Sequence, residues 1–361
     1  MRYLKLFIAF LIYGVCPLVS VAQQTPKSIY INENFSIGYL EYLPPNYETA
    51  TKKLPVLIFL HGSGEVGNGL PEDLKKVETW GPPYHIKNGH NMCFTVNGEE
   101  ECFIVFSPQL VADFYDWANV VTPLIDHILN GPDDYKADPD RIYLTGLSLG
   151  GMGTYAFASS QQNRPNKIAA IVPIAALTED YEAGCLISAR KIPVWAFHGK
   201  LDTVVPWVQG VTAFNSVKFC GDPLPTAEMI FTTYNDRYHD SWIPAYDPSH
   251  TYHNPNLYEW LLLQTRSPVE EEVTSVNEEI ISGEGSFTVY PNPSRSDVNF
   301  LFSETQIPGG NISVWDVTGK LVLRGENGAQ SMDITGLNPG IYLVRFTTDS
   351  GTTCARHLVK M

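Results

Sequence analysis

The sequence predicts an α/β domain with a mostly parallel sheet and flanking helices, followed by a small all-β sandwich. The chain of 361 residues is long enough for one large core and a smaller domain. Between Ile29 and about Gln264, short apolar runs alternate with longer stretches of helical periodicity. From Phe287 onward, short alternating strands are separated by Gly, Pro and Asn turns, which is typical of an antiparallel module.

Six apolar runs are predicted to be the core strands of the first domain. They are continuously apolar rather than alternating, as strands buried on both faces of a parallel sheet should be: LPVLIFLHG (54–62), CFIVFSPQ (102–109), RIYLTGLS (141–148), KIAAIVPIAA (167–176), KIPVWAFHG (191–199) and AEMIFTTY (227–234). Between these runs, residues 117–130 and 150–161 have helical character. Residues 30–47 predict a hairpin at the edge of the sheet.

The N-terminus has the pattern of an export signal. Arg2 and Lys5 precede the apolar stretch 6–15, and the small residues of SVA (20–22) offer a cleavage site. The apolar stretch is short for a membrane span, so a signal peptide over residues 1–22 is favoured over an anchor and no stable membrane insertion is expected.

The chain has an excess of acidic residues. Its formal net charge is −15, and removal of the signal would take two cations and no acid, giving −17. An acidic surface repels phosphate backbones and anionic lipid, so nucleic acid and membrane surfaces are poor candidate partners.

The predicted first domain spans residues 23–264 and ends where the composition changes. Residues 265–286 are acidic and poor in aromatic residues, which indicates a solvated linker. Residues 287–361 then form the predicted β-sandwich, with a hairpin turn at VTGK (317–320).

One short motif contains a candidate nucleophilic serine. In TGLSLGG (145–151), Ser148 lies between Gly146 and Gly150, at the end of a predicted strand and the start of a predicted helix. That context indicates a nucleophile elbow, in which a serine occupies a strained strand-to-helix turn. The alternative is a plain glycine-rich turn, and the positions of a base and an acid decide between the two.

Both partners follow later strands of the predicted sheet. Asp202 comes after the strand that ends at Gly199, and His239 comes after the strand that ends at Tyr234. The order Ser, Asp, His is the order of α/β-hydrolase triads, and the carboxyl ends of parallel strands meet at one edge. The sequence therefore predicts Ser148 as nucleophile, His239 as base and Asp202 as the acid that orients it.

The oxyanion hole and the substrate pocket have weaker signals. The backbone N–H of Leu149 is one predicted oxyanion donor, and Ser63 or Gly64, in the glycine-rich loop after the first core strand, supplies the other. Glu65 either contacts substrate or braces this loop. Trp117 and Trp242, with Trp80, either line a substrate pocket or pack in the core.

Other histidines and carboxylates are alternatives to these assignments. His250 and His253 could replace His239 if their loop folded over the serine. His198 stands at a strand end and is expected to pack there. Asp236 and Asp240 are too close in sequence to His239 to reach the far nitrogen of its ring.

Several segments together resemble a secreted α/β-hydrolase of the branch that holds feruloyl and acetyl-xylan esterases and their "predicted peptidase" relatives. The resemblance covers nearly all of residues 29–264 and is carried by YLPPNY, LPVLIFLHGSGEVG, DPDRIYLTGLSLGGMGTYAFA, VWAFHGKLDTVVP and YHDSWIPAYDPSHTYHNPNLYEWLL. It implies the same nucleophile, acid and base that the spacing predicts.

The C-terminal stretch resembles the type A sorting domain of the type IX secretion system of Bacteroidetes. VYPNPSRSDVNF, ISVWDVTGKLV, LNPGIYLVRF and RHLVKM carry this match within residues 287–361. The resemblance implies the type IX machinery as a partner and a secreted or cell-surface location. A carbohydrate-binding sandwich is the alternative, but Trp315 is the only tryptophan in this stretch.

Cysteines outside the signal fit an oxidising compartment. We expect disulfides between Cys93 and Cys102 and between Cys185 and Cys220, with Cys354 left over. No C-x-x-C spacing suggests zinc, and neither a metal nor an organic cofactor is expected. The cysteine pair in NGHNMCFTVNGEEECF (88–103) departs from the family pattern, and this insertion is expected to shape the substrate entrance.

The predicted activity is hydrolysis of carboxylic esters, with polysaccharide-linked acyl groups as the expected substrates. A serine peptidase of the prolyl-oligopeptidase type is one alternative, although the chain has no propeller domain to select peptides by size. A non-enzymatic surface binding protein is the other, although a binder has no need of a complete triad.

Overall fold

The computed structural model describes most of the chain after the predicted signal peptide. The described residues are 23–360, apart from 34, 112–115, 164–165, 179–180, 221–226, 267–286, 291–293, 303–308, 317–319, 326, 339 and 350–352. The predictions of a signal peptide, of most of the linker and of the VTGK turn lie outside these residues.

An eight-stranded sheet dominates the first part of the chain. Its strand order is β1-β2-β6-β3-β7-β8-β9-β10, with these bounds: β1 Thr25–Asn32, β2 Phe35–Tyr42, β3 Leu54–Leu60, β6 Ile104–Pro108, β7 Ala137–Leu147, β8 Ala170–Ile174, β9 Val194–Gly199 and β10 Met229–Tyr234. The strands from β6 to β10 run parallel, while β2 runs antiparallel to β6 and pairs with β1 at the edge. All six predicted core strands and the edge hairpin are confirmed.

Helices cover both faces of this sheet. Their bounds are α1 Pro71–Leu74, α2 Gly81–Lys87, α3 Ala118–Asn130, α4 Leu149–Ser159, α5 Tyr181–Ala189, α6 Trp207–Lys218, α7 Trp242–Ala245 and α8 Leu257–Leu262. Alternate residues of one strand enter two separate cores: Ile58 packs towards α3 and α4, whereas Phe59 packs towards α7 and α8. A strand buried on both faces must be apolar at every position, which explains the continuous run of β3.

The cysteine-bearing insertion lies at the other end of the sheet from Ser148. It forms a hairpin of β4 (Cys93–Val96) and β5 (Glu99–Cys102), which leads directly into the first residues of β6. Glu101 in this hairpin forms an ion pair with Arg141, which is in the first half of β7. Because Ser148 follows the last residue of β7, the expectation that the insertion shapes the substrate entrance is wrong.

The C-terminal part is a small antiparallel sandwich. One sheet has the order β11-β12-β15 and the other β14-β13-β16-β17, with bounds β11 Phe287–Tyr290, β12 Asp297–Phe302, β13 Gly310–Asp316, β14 Leu321–Arg324, β15 Ser331–Asp333, β16 Gly340–Thr348 and β17 Thr353–Lys360. Phe287 and Phe302 from the first sheet and Phe346 from the second meet in one core. This confirms the predicted all-β module.

Both expected disulfides are present. Cys93 is bonded to Cys102, and Cys185 is bonded to Cys220; Cys354 takes part in neither bond. Among the described residues, no helix combines the length and the apolar character needed to cross a membrane.

Candidate active site

Ser148 occupies the sharp turn between β7 and α4. Its backbone has φ of 51° and ψ of −117°, which is strained for a residue with a Cβ. The turn closes so tightly that a Cβ on Gly146 would lie 2.4 Å from the carbonyl carbon of Gly150, and one on Gly150 would lie 2.0 Å from the Leu60 oxygen. The spacing of the glycines around Ser148 therefore follows from the geometry of the turn.

His239 joins the serine to a buried carboxylate. Its Nε2 lies 3.0 Å from Ser148 Oγ, and its Nδ1 lies 2.7 Å from Asp202 Oδ2. The three side chains come from the loops after β7, β9 and β10, at the carboxyl edge of the sheet. With Nδ1–H donating to the carboxylate, Nε2 is free to accept the serine proton, so this arrangement can generate an alkoxide nucleophile.

Asp202 is held by its own loop. Its side chain is fully buried, and Oδ1 accepts hydrogen bonds from the backbone N–H groups of Val204 and Val205, each at 2.9 Å. His198 Nε2–H donates to the Val205 carbonyl at 2.9 Å, and burial lowers the pKa of His198. His198 is thus a neutral side chain that supports the Asp202 loop, in line with its expected packing role.

The predicted oxyanion donors belong to two segments of the chain, the start of α4 and the loop after β3. Leu149 is the first residue of α4, so its N–H has no acceptor within the helix. Ser63 and Gly64 are exposed in a single 3₁₀ turn directly after β3. The backbone of Leu60 and His61 lies against the start of α4, which brings this loop next to the elbow.

Glu65 turns inward instead of towards solvent. It is 8% exposed, and burial raises the pKa of its carboxyl group, partly opposed by hydrogen bonds from the N–H groups of Gly62 and of Glu65 itself. Of the two predicted roles, bracing the loop is the one that this placement favours.

The three tryptophans differ in their relation to the site. Trp242 lies edge-on to His239, with 5.1 Å between ring centroids, and Trp80 packs against Trp242 at 6.0 Å. Trp117 is 3% exposed and packs against His61, over Gly153, so it offers almost no surface to a substrate. Trp242 therefore remains a candidate for lining the site, and Trp117 is better placed to support the loop from below.

The alternative bases have partners elsewhere. His250 Nε2 lies 2.8 Å from a carboxylate oxygen of Glu259, and His253 contacts the Tyr234 hydroxyl. Asp240 Oδ2 lies 3.4 Å from an Arg237 guanidinium nitrogen. The described contacts thus bring only His239 to Ser148.

Two buried side chains next to the loop were not singled out by sequence reasoning. His61 Nε2 accepts a hydrogen bond from the Leu110 N–H at 2.9 Å, while its Nδ1–H donates to the Gly62 carbonyl at 2.6 Å. Gln109, which is 1% exposed, bonds to backbone groups along the loop. The single available signal is that each is a polar residue directly after an apolar strand.

Comparison with protein families assigns both parts of the chain. The model of the Phospholipase/Carboxylesterase family matches residues 47–245, which is more than half of the chain. The protein belongs to this family, and its fold is that of an α/β-hydrolase. Residues 288–360 match the Secretion system C-terminal sorting domain, which confirms the resemblance of the β-sandwich to a type IX sorting domain and indicates export to the cell surface or beyond.

One curated protein and one solved structure are also similar to this chain. The "Bifunctional acetylxylan esterase/xylanase XynS20E" of Neocallimastix patriciarum is 25% identical over 298 residues, covering 79% of this chain and 34% of that protein. The chain thus spans about a third of that relative's length. The crystal structure of a thermostable esterase is 24% identical with a TM-score of 0.50, covering 67% of this chain and 63% of that chain, and supports the fold.

Proposed function

We propose that this protein is an exported serine hydrolase that cleaves carboxylic esters, with acyl groups on polysaccharides as its substrates. The observation that carries the proposal is the pair of contacts made by His239, 3.0 Å to Ser148 Oγ and 2.7 Å to Asp202 Oδ2. A histidine bridging a strained serine and a buried carboxylate is the arrangement that serine acyl transfer requires. Membership of a carboxylesterase family supports the same reaction.

The proposed reaction has two halves. Ser148 Oγ attacks the ester carbonyl carbon as His239 Nε2 takes its proton, and the carbonyl oxygen becomes an oxyanion that accepts hydrogen bonds from Leu149 and from Ser63 or Gly64. The tetrahedral intermediate expels the alcohol, which receives the proton from His239. Water then attacks the acyl-enzyme in the same way, and the carboxylic acid leaves.

The surface around the triad supports a large, ring-containing substrate. Leu201, Val204, Tyr238 and Ile243 are among the large apolar side chains that remain exposed, and each lies within about four residues of Asp202 or His239 in sequence. Sugar rings present apolar faces that pack on such side chains, and the relative named as an acetylxylan esterase points to the same class. Replacing Tyr238 with Ala should raise KM for acetylated xylan and leave KM for p-nitrophenyl acetate unchanged; equal effects on both substrates would contradict this role.

We further propose the division of the chain that the sequence predicts. Residues 1–22 direct passage through the inner membrane and are removed, 23–264 form the catalytic domain, 265–286 form a linker, and 287–361 engage the type IX machinery. The match of residues 288–360 to a secretion sorting domain supports the last assignment.

A substrate panel tests the activity. Wild type should hydrolyse p-nitrophenyl acetate, methyl ferulate and acetylated or feruloylated xylan, and Ser148→Ala should abolish this hydrolysis while the circular dichroism spectrum is unchanged. Release of acetate or of ferulate from the two xylans identifies the acyl group.

The panel also separates the two other functions. Turnover of peptidyl amides without turnover of esters would replace the proposal with a serine peptidase. A folded wild type that hydrolyses none of the compounds would replace it with a binding protein. Retained ester hydrolysis in Ser148→Ala would assign the nucleophile to another residue.

A further inference from the structure

We propose that Gln109 is a positioning residue for catalysis: its buried amide holds the loop of residues 61–69 in the shape that aims the oxyanion donors at the substrate. This inference rests on the proposed function, since it concerns the same site. Gln109 itself is buried below the loop and does not reach the reacting atoms.

The Gln109 side chain bonds to the loop and to the helix that follows it. Nε2 donates to the carbonyl oxygen of Glu65 at 2.8 Å and to that of Asp73 at 2.9 Å, and Oε1 accepts from the Gly69 N–H at 3.0 Å. Both amide hydrogens and the amide oxygen are therefore used. A flipped amide would face two carbonyls with its oxygen and an N–H with its NH₂ group, so the orientation is fixed by its partners.

The neighbouring residue holds the beginning of the same loop. The Leu110 N–H donates to His61 Nε2 at 2.9 Å, which leaves the imidazole proton on Nδ1 to donate to the Gly62 carbonyl. Burial lowers the pKa of His61 to about 4, so the ring stays neutral in this tautomer at neutral pH. In a trans peptide the carbonyl of Gly62 and the N–H of Ser63 point in opposite directions, so fixing the carbonyl also fixes the donor.

The loop has no room to shift towards the amide. A Cβ on Gly67 would lie 2.4 Å from Gln109 Nε2, and a Cβ on Gly38 would lie 1.9 Å from the Gly69 carbonyl oxygen. The Gly67 N–H donates to the Leu110 carbonyl at 3.1 Å, and the Gln109 N–H donates to the Gly38 carbonyl at 2.9 Å. The loop is thus pressed against the middle of β2 and the residues that follow β6, and Gln109 supplies side-chain bonds across that contact.

The expected consequence is specific to the transition state. Oxyanion donors strengthen their hydrogen bonds when negative charge develops on the carbonyl oxygen, so misplacing one lowers kcat more than it changes KM. Loss of the amide would leave the Gly69 N–H without its acceptor and remove one donor from each of the Glu65 and Asp73 carbonyls, and the loop would move to satisfy these groups. A residue that only stabilised the fold would instead lower the unfolding temperature with kcat unchanged.

Two substitutions of Gln109 test the proposal. Gln109→Met keeps the length of the side chain and removes all three bonds. We expect kcat for p-nitrophenyl acetate to fall about 100-fold, with KM within about threefold. The dissociation constant of phenylboronic acid, which binds Ser148 as a tetrahedral anion, should rise by the same factor as kcat falls. Ser188→Ala is the matched control, because Ser188 is buried with one bond to the Cys220 carbonyl at 2.9 Å, and it should keep wild-type kcat.

Gln109→Glu adds a readout that is independent of folding yield. As a carboxylate it cannot donate to the Glu65 and Asp73 carbonyls, whereas the protonated acid donates one hydrogen bond. The ratio of its kcat/KM to that of wild type should therefore rise as the pH falls, and the same ratio for Gln109→Met should be flat. If Gln109→Met does not fold, the pH dependence of the Gln109→Glu ratio decides.

Three results would overturn the proposal. A Gln109→Met kcat within threefold of wild type, a loss of kcat with unchanged boronate affinity, or a pH-independent Gln109→Glu ratio would each contradict it. Failure of the proposed function looks different, since wild type would then show no ester hydrolysis that depends on Ser148.

Discussion

Replacing Asp202 with Asn should remove most of the catalytic activity and leave the fold intact. Asp202 Oδ1 accepts two backbone N–H bonds, from Val204 and Val205, each at 2.9 Å. An asparagine keeps those bonds only by placing its oxygen there, which puts its NH₂ group where Oδ2 now lies, 2.7 Å from His239 Nδ1. That NH₂ group would donate to Nδ1 and force the imidazole proton onto Nε2. The base would then be unable to accept the proton of Ser148.

The loss should be about 10⁴-fold in kcat, or about 5 kcal/mol of transition-state stabilisation. Steady-state hydrolysis of p-nitrophenyl acetate gives kcat and KM, and a thermal melt confirms folding. Asp236→Asn is a matched control, since Asp236 is exposed and three residues from His239, and it should stay within twofold of wild type. An Asp202→Asn enzyme that retained more than a tenth of the wild-type kcat would refute the assignment of its role.

Three further predictions concern stability and domain organisation. Burial lowers the pKa of His61 from 6.5 to about 4, so this side chain takes up a proton more readily in the unfolded state than in the folded state. The free energy of unfolding should therefore fall by up to about 3 kcal/mol as the pH is lowered from 6.5 to 4. Urea unfolding at both pH values should show a smaller fall for His61→Gln than for wild type. Cys185 and Cys220 are 35 residues apart in sequence, whereas Cys93 and Cys102 are 9 residues apart. Replacing both cysteines of a pair with serine should lower the free energy of unfolding by about 4 kcal/mol for the first pair and by about 3 kcal/mol for the second. Equal losses would contradict the dependence on loop length. A chain ending at residue 266 should keep kcat/KM within twofold, and a larger loss would assign the sandwich a part in catalysis.

The fold and the triad could be predicted from the sequence because their signals are local. A strand buried on both faces must be apolar throughout, and the strained turn at Ser148 admits only glycine at the positions that a Cβ would fill. The strand-end positions of Asp202 and His239 then follow, since parallel strands bring their carboxyl ends to one edge. Each of these inferences needs only a short window of sequence and the direction of the chain.

What the sequence could not supply depends on contacts between distant segments. The 88–103 insertion looked like an entrance element, but its direct connection to the start of β6 and the Glu101–Arg141 ion pair hold it at the opposite end of the sheet. Gln109 carries no pattern of its own, since its partners are backbone groups up to 44 residues away. The burial of Trp117 likewise depends on a neighbour, Gly153, that leaves space for its ring.

The most direct measurement is to identify the atom that becomes covalently modified when the protein reacts with paraoxon. We expect one diethylphosphoryl group per chain, found by peptide mass spectrometry on Ser148, with ester hydrolysis lost in proportion. Modification should be absent in Ser148→Ala and greatly slowed in His239→Ala. A phosphoryl group on any other residue, or full ester hydrolysis by a protein that carries the group on Ser148, would contradict the account.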